Sequence, residues 1–122
     1  DYRPAQIATQ KIKKSGAEIT LTLVRNPDIV SAVAASEQRP FTVGFAAETR
    51  DVLAYAREKM QRKGLDMIIA NDVSDQGIGF NSEENEVTII RSDSERVLGR
   101  ASKTTIARQI IEEIASSCDN SC

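Results

Sequence analysis

Residues 43–73 constrain this chain more than any other stretch, because they read as a strand, a loop, a helix and a second strand in that order. Val43, Gly44 and Phe45 form an apolar segment, followed by small residues and by Thr49, a residue able to cap a helix. Val52, Leu53, Ala56 and Met60 then recur on one helical face. Gly64 offers a left-handed cap with Leu65 as its hydrophobic closure. Met67 to Ala70 is a short apolar strand ending in the polar pair Asn71 and Asp72. A strand–helix–strand unit belongs to an α/β layer, where ligands sit beyond the carboxyl ends of the strands. A nucleotide pocket at the end of VGFAAET is therefore the first functional expectation.

Composition narrows the partners. With 122 residues the chain suits one domain, and 40% hydrophobic with 28% charged residues is ordinary for a water-soluble fold. Sixteen Lys and Arg against eighteen Asp and Glu leave a net charge of -2 and a pI near 5.2, which gives no general attraction to nucleic acid or acidic lipid. No apolar run approaches the roughly 20 residues that span a bilayer, nor is there a signal-peptide core, so the expectations are no membrane and a cytoplasmic location. The two cysteines, Cys118 and Cys122, fall in SSCDNSC without any histidine, and residues 117–122 read as a disordered, reduced tail. The chain opens at Asp1 with no initiator Met, and a fragment of a longer protein is expected.

Before the central unit, residues 1–18 have little apolar periodicity and carry Lys11, Lys13 and Lys14, which reads either as a solvated charge run or as a basic flap over a polyanion. Residues 19–24, ITLTLV, alternate as a strand does. Asn26-Pro27-Asp28 supplies a helix start, with Asn26 as cap and Pro27 at the first position, ahead of the apolar face of Ile29, Val30, Val33 and Ala34. Free N–H groups there could receive an anion, or the segment could be an ordinary capped helix. Residues 41–45 should be a central strand. On the second helix Lys59 and Lys63 stand at i and i+4, equally compatible with surface lysines compensating the helix dipole and with phosphate binding.

After it, residues 87–90 and 96–98 flank Ser92-Asp93-Ser94 as a β-hairpin. Ser102 caps a last helix with Ile106, Ala107, Ile110, Ile111 and Ile114 on one side. Gly77 and Gly79 do not make a dinucleotide fingerprint, since no strand-to-helix turn surrounds them. The expected fold is α/β and Rossmann-like, the C-terminal portion of a doubly wound, mostly parallel sheet with a β-hairpin, in the order βαβαβ-ββ-α. Three parallel strands make a narrow sheet, which favours a missing half or a partner chain. With no histidine and thiols only at the end, Ser-His, Cys-His and His-metal catalysis are excluded from this chain alone. Lysines, carboxylates, backbone N–H groups and a hard cation remain, the inventory of nucleotide-dependent group transfer.

DYR, KIKK, NPDIV, VGFAAET, YAREKMQRKGLD, IIANDV, GIGFNSEENEV and SKTTIA, in that order, resemble the carboxyl-terminal part of bacterial phosphopantothenoylcysteine synthetase. In many bacteria that enzyme is fused behind a flavin-dependent decarboxylase, so FMN would belong to the fused half and not to this chain. The resemblance implies a ligase of coenzyme A biosynthesis that activates 4'-phosphopantothenate with CTP, releases pyrophosphate, and transfers the acyl group from the cytidylate to L-cysteine. It also implies Mg2+, a Rossmann-like fold and a homodimer.

Carried over by motif, Asp1 would contact the nucleotide or its metal ion, and Lys11 would act catalytically from a flap that closes over CTP. Pro27, Asp28, Ile29 and Val30 would contact CTP through the helix start, Phe45 would lie against it, and Lys59 and Lys63 would hold the triphosphate. Asn71 and Asp72 rank below these, as residues that shape a loop. Residues 1–116 would then be a partial nucleotide-binding synthetase domain. Two departures stand out: the family's N-terminal half is absent, so the chain alone should be inactive, and Gly99 stands where relatives often carry proline. A non-catalytic nucleotide-binding or dimerisation fragment is the alternative; an NAD(P)-linked reductase half is disfavoured by the missing glycine fingerprint.

Overall fold

A computed structural model describes residues 1–74 and 82–121. Strand β1 (Tyr2–Pro4) pairs antiparallel with β2 (Leu23–Arg25) in a two-stranded ribbon, with Tyr2 opposite Arg25. Helix α1 (Ile29–Ala34) follows. The main sheet has the order β3 (Val43–Glu48), β4 (Met67–Asp72), β5 (Glu84–Ile90), β6 (Glu95–Ser102). The pair β3–β4, joined through helix α2 (Val52–Lys63), is parallel, and β4–β5 and β5–β6 are antiparallel. Helix α3 (Lys103–Ser121) closes the chain.

Strand β4 is the centre because its side chains are apolar on both faces. Ile68 and Ala70 pack with Ala46, Ala56, Met60 and Ile90 under α2. Met67 and Ile69, which point the other way by strand alternation, pack with Val87, Ile89, Leu98, Ile106 and Ile110 under α3. The α/β class, the helix α2, the hairpin and the final helix thus stand as expected. Ser102 caps α3 as expected, its Oγ accepting from Thr105 N at 3.2 Å.

The turn from α2 into β4 is built as its sequence predicts. Gly64 lies at φ +71°, and its N–H donates to Gln61 O (3.3 Å) while that of Leu65 donates to Met60 O (3.0 Å), a Schellman closure. Leu65 folds back onto the α2-side core and fills the space above Gly44, where a Cβ would stand 2.5 Å from Leu65 Cδ1.

Several boundaries differ from expectation. The strand expected over 19–24 shrinks to Leu23–Arg25 and joins the ribbon rather than the main sheet; Ile19 and Leu21 stay exposed because no layer among the described residues covers their face. The strand expected over 41–45 starts at Val43 and runs to Glu48, since its parallel register with β4 continues to Asp72. Asp28, not Asn26, caps α1, accepting from Ser31 N at 3.1 Å. Asn26 is spent on the ribbon instead, its N–H donating to Asp1 O at 2.9 Å and its Oδ1 accepting from Arg3 Nη1 at 3.2 Å. Asp51, at φ +46°, rather than Thr49, precedes α2.

The tail expected over 117–122 is corrected as well: α3 continues to Ser121. SSCDNSC contains no glycine or proline to stop a helix, and Ser117, only 1% exposed, donates its Oγ to Glu113 O at 2.8 Å. Cys118 lies half-buried in that helix. Cys122, Gly77 and Gly79 lie outside the described residues.

Candidate functional site

Three segments that are distant in sequence meet in one cavity of about 510 Å³. The ribbon contributes Asp1, Tyr2 and Arg25, the start of α1 contributes Asn26 to Val30, and the last turns of α2 contribute Lys59, Arg62 and Lys63. The ribbon is what brings the first residues here: its register sets Tyr2 against Arg25, and the Asn26 to Asp1 hydrogen bond extends the pairing by one residue. Arg3 locks the same corner by donating to Arg25 O at 2.8 Å.

The electrostatics are mixed and net positive, with four basic side chains, Arg25, Lys59, Arg62 and Lys63, against the carboxylates of Asp1 and Asp28. Lys63 Nζ lies 2.9 Å from Asp28 Oδ2. That hydrogen bond, with those from Ser31, lowers the Asp28 carboxyl to about 2. Lys59 Nζ leans toward Glu48 Oε1 at 3.9 Å. Beside Arg25 the Tyr2 phenol raises the guanidinium pKa further, so its charge is permanent. Because Asp28 already occupies the Ser31 N–H, anion affinity here has to come mainly from side chains.

Of the residues singled out in the sequence, Asp1, Pro27, Asp28, Ile29, Val30, Lys59 and Lys63 line this cavity. Phe45 does not. It is 68% exposed and alternation puts it on the α3 face of β3, where it borders a separate hollow of about 280 Å³ with Asn71, Val87, Lys103 and Ile110 among its lining. No residue of β3 lines the cavity, which lies beside the carboxyl-terminal turns of α2 and not beyond the end of VGFAAET. Lys11 is also outside it, in an exposed arm. That arm is rooted at the cavity, because Ala5 N donates to Thr22 O at 2.9 Å and the ribbon closes its base.

Asp72 shapes a loop, accepting from Ser74 Oγ (2.5 Å) and Ser74 N (2.9 Å), contacts that lower its pKa. Asn71 Oδ1 is buried without a hydrogen-bond partner among the described residues. Among those residues no three carboxylate or thiol groups converge on a point. Asp1 and Asp28 would be the carboxylates available to a Mg2+ ion whose other ligands came from phosphates and water.

The side chains that sequence reasoning passed over are Tyr2, Arg25 and Arg62. Arg62 was recoverable, since it falls at i+3 from Lys59 and beside Lys63, on the same helical flank. Tyr2 and Arg25 were not, because only the ribbon pairing carries them to the cavity.

The family model for the DNA/pantothenate metabolism flavoprotein C-terminal domain matches residues 1–118. The chain belongs to this family. Within the DNA/pantothenate metabolism flavoprotein C-terminal domain family, it is 53% identical over 117 residues to the coenzyme A biosynthesis bifunctional protein CoaBC of Vibrio vulnificus, covering 93% of this chain and 29% of that protein. The Escherichia coli CoaBC protein is 46% identical over 123 residues, covering 98% of this chain and 30% of its own length. The chain therefore spans under a third of these curated relatives. The crystal structure of a CoaBC C-terminal domain superposes with a TM-score of 0.74 at 29% identity, over 98% of this chain and 50% of that one. A DNA/pantothenate metabolism flavoprotein from Streptococcus pneumoniae, 22% identical, shares the fold with a TM-score of 0.64 over 80% of this chain and 42% of its own. The family resemblance read from the motifs holds, as does the α/β class. No helix among the described residues is long and apolar enough to cross a membrane.

Proposed function

We propose that this chain is the carboxyl-terminal part of a CTP-dependent phosphopantothenate–cysteine ligase acting in coenzyme A biosynthesis. The observation that carries the reading is the meeting of Asp1, the Pro27–Val30 segment, Lys59 and Lys63 around one net-positive cavity. An excess of two positive charges suits a triphosphate partly neutralised by Mg2+. The relatives' name, coenzyme A biosynthesis bifunctional protein, supports the pathway.

In this reading the carboxylate of 4'-phosphopantothenate attacks the α-phosphate of CTP, pyrophosphate departs, and the amine of L-cysteine displaces CMP from the acyl-cytidylate. Lys59 and Lys63 neutralise the triphosphate, Asp1 receives the metal ion, and the arm swings Lys11 over the reacting groups. Phe45 meets the nucleotide only from the other face of β3, so its contact needs parts of the site beyond this chain. The partners are CTP, the acyl substrate, cysteine, the remaining half of the synthetase domain and a second copy in a homodimer. The setting is cytoplasmic, and FMN serves only the fused decarboxylase.

A non-catalytic nucleotide-binding or dimerisation role is the second reading for the chain alone, favoured by its covering half of the solved C-terminal domain. Thermal shifts of the full-length protein with CTP, ATP and NADH in Mg2+ discriminate. CTP at ~100 times its dissociation constant should add about 2.7 kcal/mol; a preference for NADH, or no response to CTP, would sink the ligase reading.

A further inference from the structure

The two cavity lysines are already engaged. Lys63, 21% exposed, is bonded to Asp28, and Lys59, 29% exposed, faces Glu48. Arg62 is different: it is 54% exposed and its one ion pair among the described residues is with Glu58 of its own helix, at 3.6 Å, a solvent-screened pair that a phosphate can displace. Arg25 enters the same cavity from the ribbon, with its carbonyl pinned by Arg3 and no carboxylate of the described residues within ion-pair distance. A guanidinium presents a planar fork that binds two phosphate oxygens at once, which an ammonium cannot do.

We propose that Arg62 and Arg25 clamp the β- and γ-phosphates of the nucleotide from the α2 wall and the ribbon wall of the cavity. This rests on the nucleotide reading above and adds to it two binding residues and a task. When the acyl carboxylate forms its bond to the α-phosphorus, the bond from that phosphorus to the bridging oxygen breaks and its electron pair leaves with pyrophosphate. Two guanidinium groups, one from each wall, neutralise the charge that builds there. The clamp also makes the site selective for a triphosphate over a monophosphate, because only the longer chain reaches both walls.

The test measures dissociation constants of CTP and CMP with Mg2+ by calorimetry on the full-length protein, together with pyrophosphate release. Arg62→Gln and Arg25→Gln should each weaken CTP about tenfold and leave CMP within twofold, since a charge-assisted pair is lost only for the triphosphate. Arg62→Lys should recover part of the CTP affinity, which also covers the case in which a glutamine variant fails to fold. CTP affinity unchanged in all three variants, or equal losses for CTP and CMP, would overturn the clamp. If the unaltered protein binds CMP and CTP equally the clamp fails while the nucleotide site stands; if it binds neither, the functional reading itself fails first.

Discussion

Asp28 performs two tasks with one carboxylate, capping α1 through Ser31 N and receiving Lys63 Nζ. Both contacts favour the charged form, and its folded-state carboxyl sits at about 2, below the ordinary value of 3.8. A depressed carboxyl contributes stability that is complete above the unfolded pKa and disappears as pH falls through the folded one, here from about 4 down to about 2. The thermal midpoint of the native sequence should therefore fall more steeply over that window than that of Asp28→Asn, which retains a capping oxygen but cannot titrate. Parallel curves would show that Lys63 is not held by this carboxylate in solution. At neutral pH the same pair holds the Lys63 ammonium at the cavity, so in the proposed reading a phosphate would exchange for Asp28 rather than recruit a mobile side chain. This reading could be started from the sequence but not finished: NPDIV marked a helix start, whereas the choice of Asp28 over Asn26 as cap depended on the ribbon claiming Asn26.

The strand–helix–strand unit was the most legible element, because its strands, helix period and terminating glycine all ask for the same structure. Its tightest point is Gly44, over which Leu65 closes. Gly44→Ala should cost about 1 kcal/mol by overpacking, since the blocking atom is a side-chain end that can shift only against the α2-side core. In a Leu65→Ala background the same substitution should cost at least about 0.5 kcal/mol less, as expected for residues in contact. Equal costs in the two backgrounds, measured by chemical denaturation, would place the strain elsewhere. Periodicity failed where it had no partner face to report on. ITLTLV alternates like a strand with one face better buried than the other, yet only its end joins a ribbon that no local pattern specifies, through Val24 against Arg3, Leu23 against Pro4 and the Thr22 carbonyl bonded by Ala5 N. SSCDNSC reads as a tail by its polar composition, whereas α3 continues through it to Ser121 and the buried Ser117 bonds to Glu113 within the same helix. Phe45 was placed correctly in β3, but strand alternation sends its side chain away from the cavity, a consequence of register that the motif alone did not state.

At the scale of the whole molecule, the two parts of the chain differ in what holds them. The main sheet has a core on each face, with β4 shared between them, so its amides should exchange only through global unfolding. The ribbon has three residues per strand, all exposed, and isolated two-stranded ribbons are marginal in water. Yet the ribbon supplies Asp1, Tyr2 and Arg25 to the cavity and closes the base of the arm that carries Lys11. Three of the eleven residues that line the cavity are thus built on this marginal ribbon, and a ligand bridging ribbon and α2 must stabilise the ribbon in proportion to its affinity. In hydrogen exchange on the full-length protein, the amides of Arg3, Ala5 and Asn26 should exchange well before those of β4 without ligand. Saturating CTP with Mg2+ should slow them markedly and leave β4 almost unchanged. The arm should respond in the same experiment, because a ribbon that is closed fixes both of its ends, which is the condition for Lys11 to reach the cavity in a defined pose. Protection confined to α2, with the ribbon still exchanging freely, would mean that the nucleotide is held without the first residues of the chain and would remove Asp1, Arg25 and Lys11 from the site together.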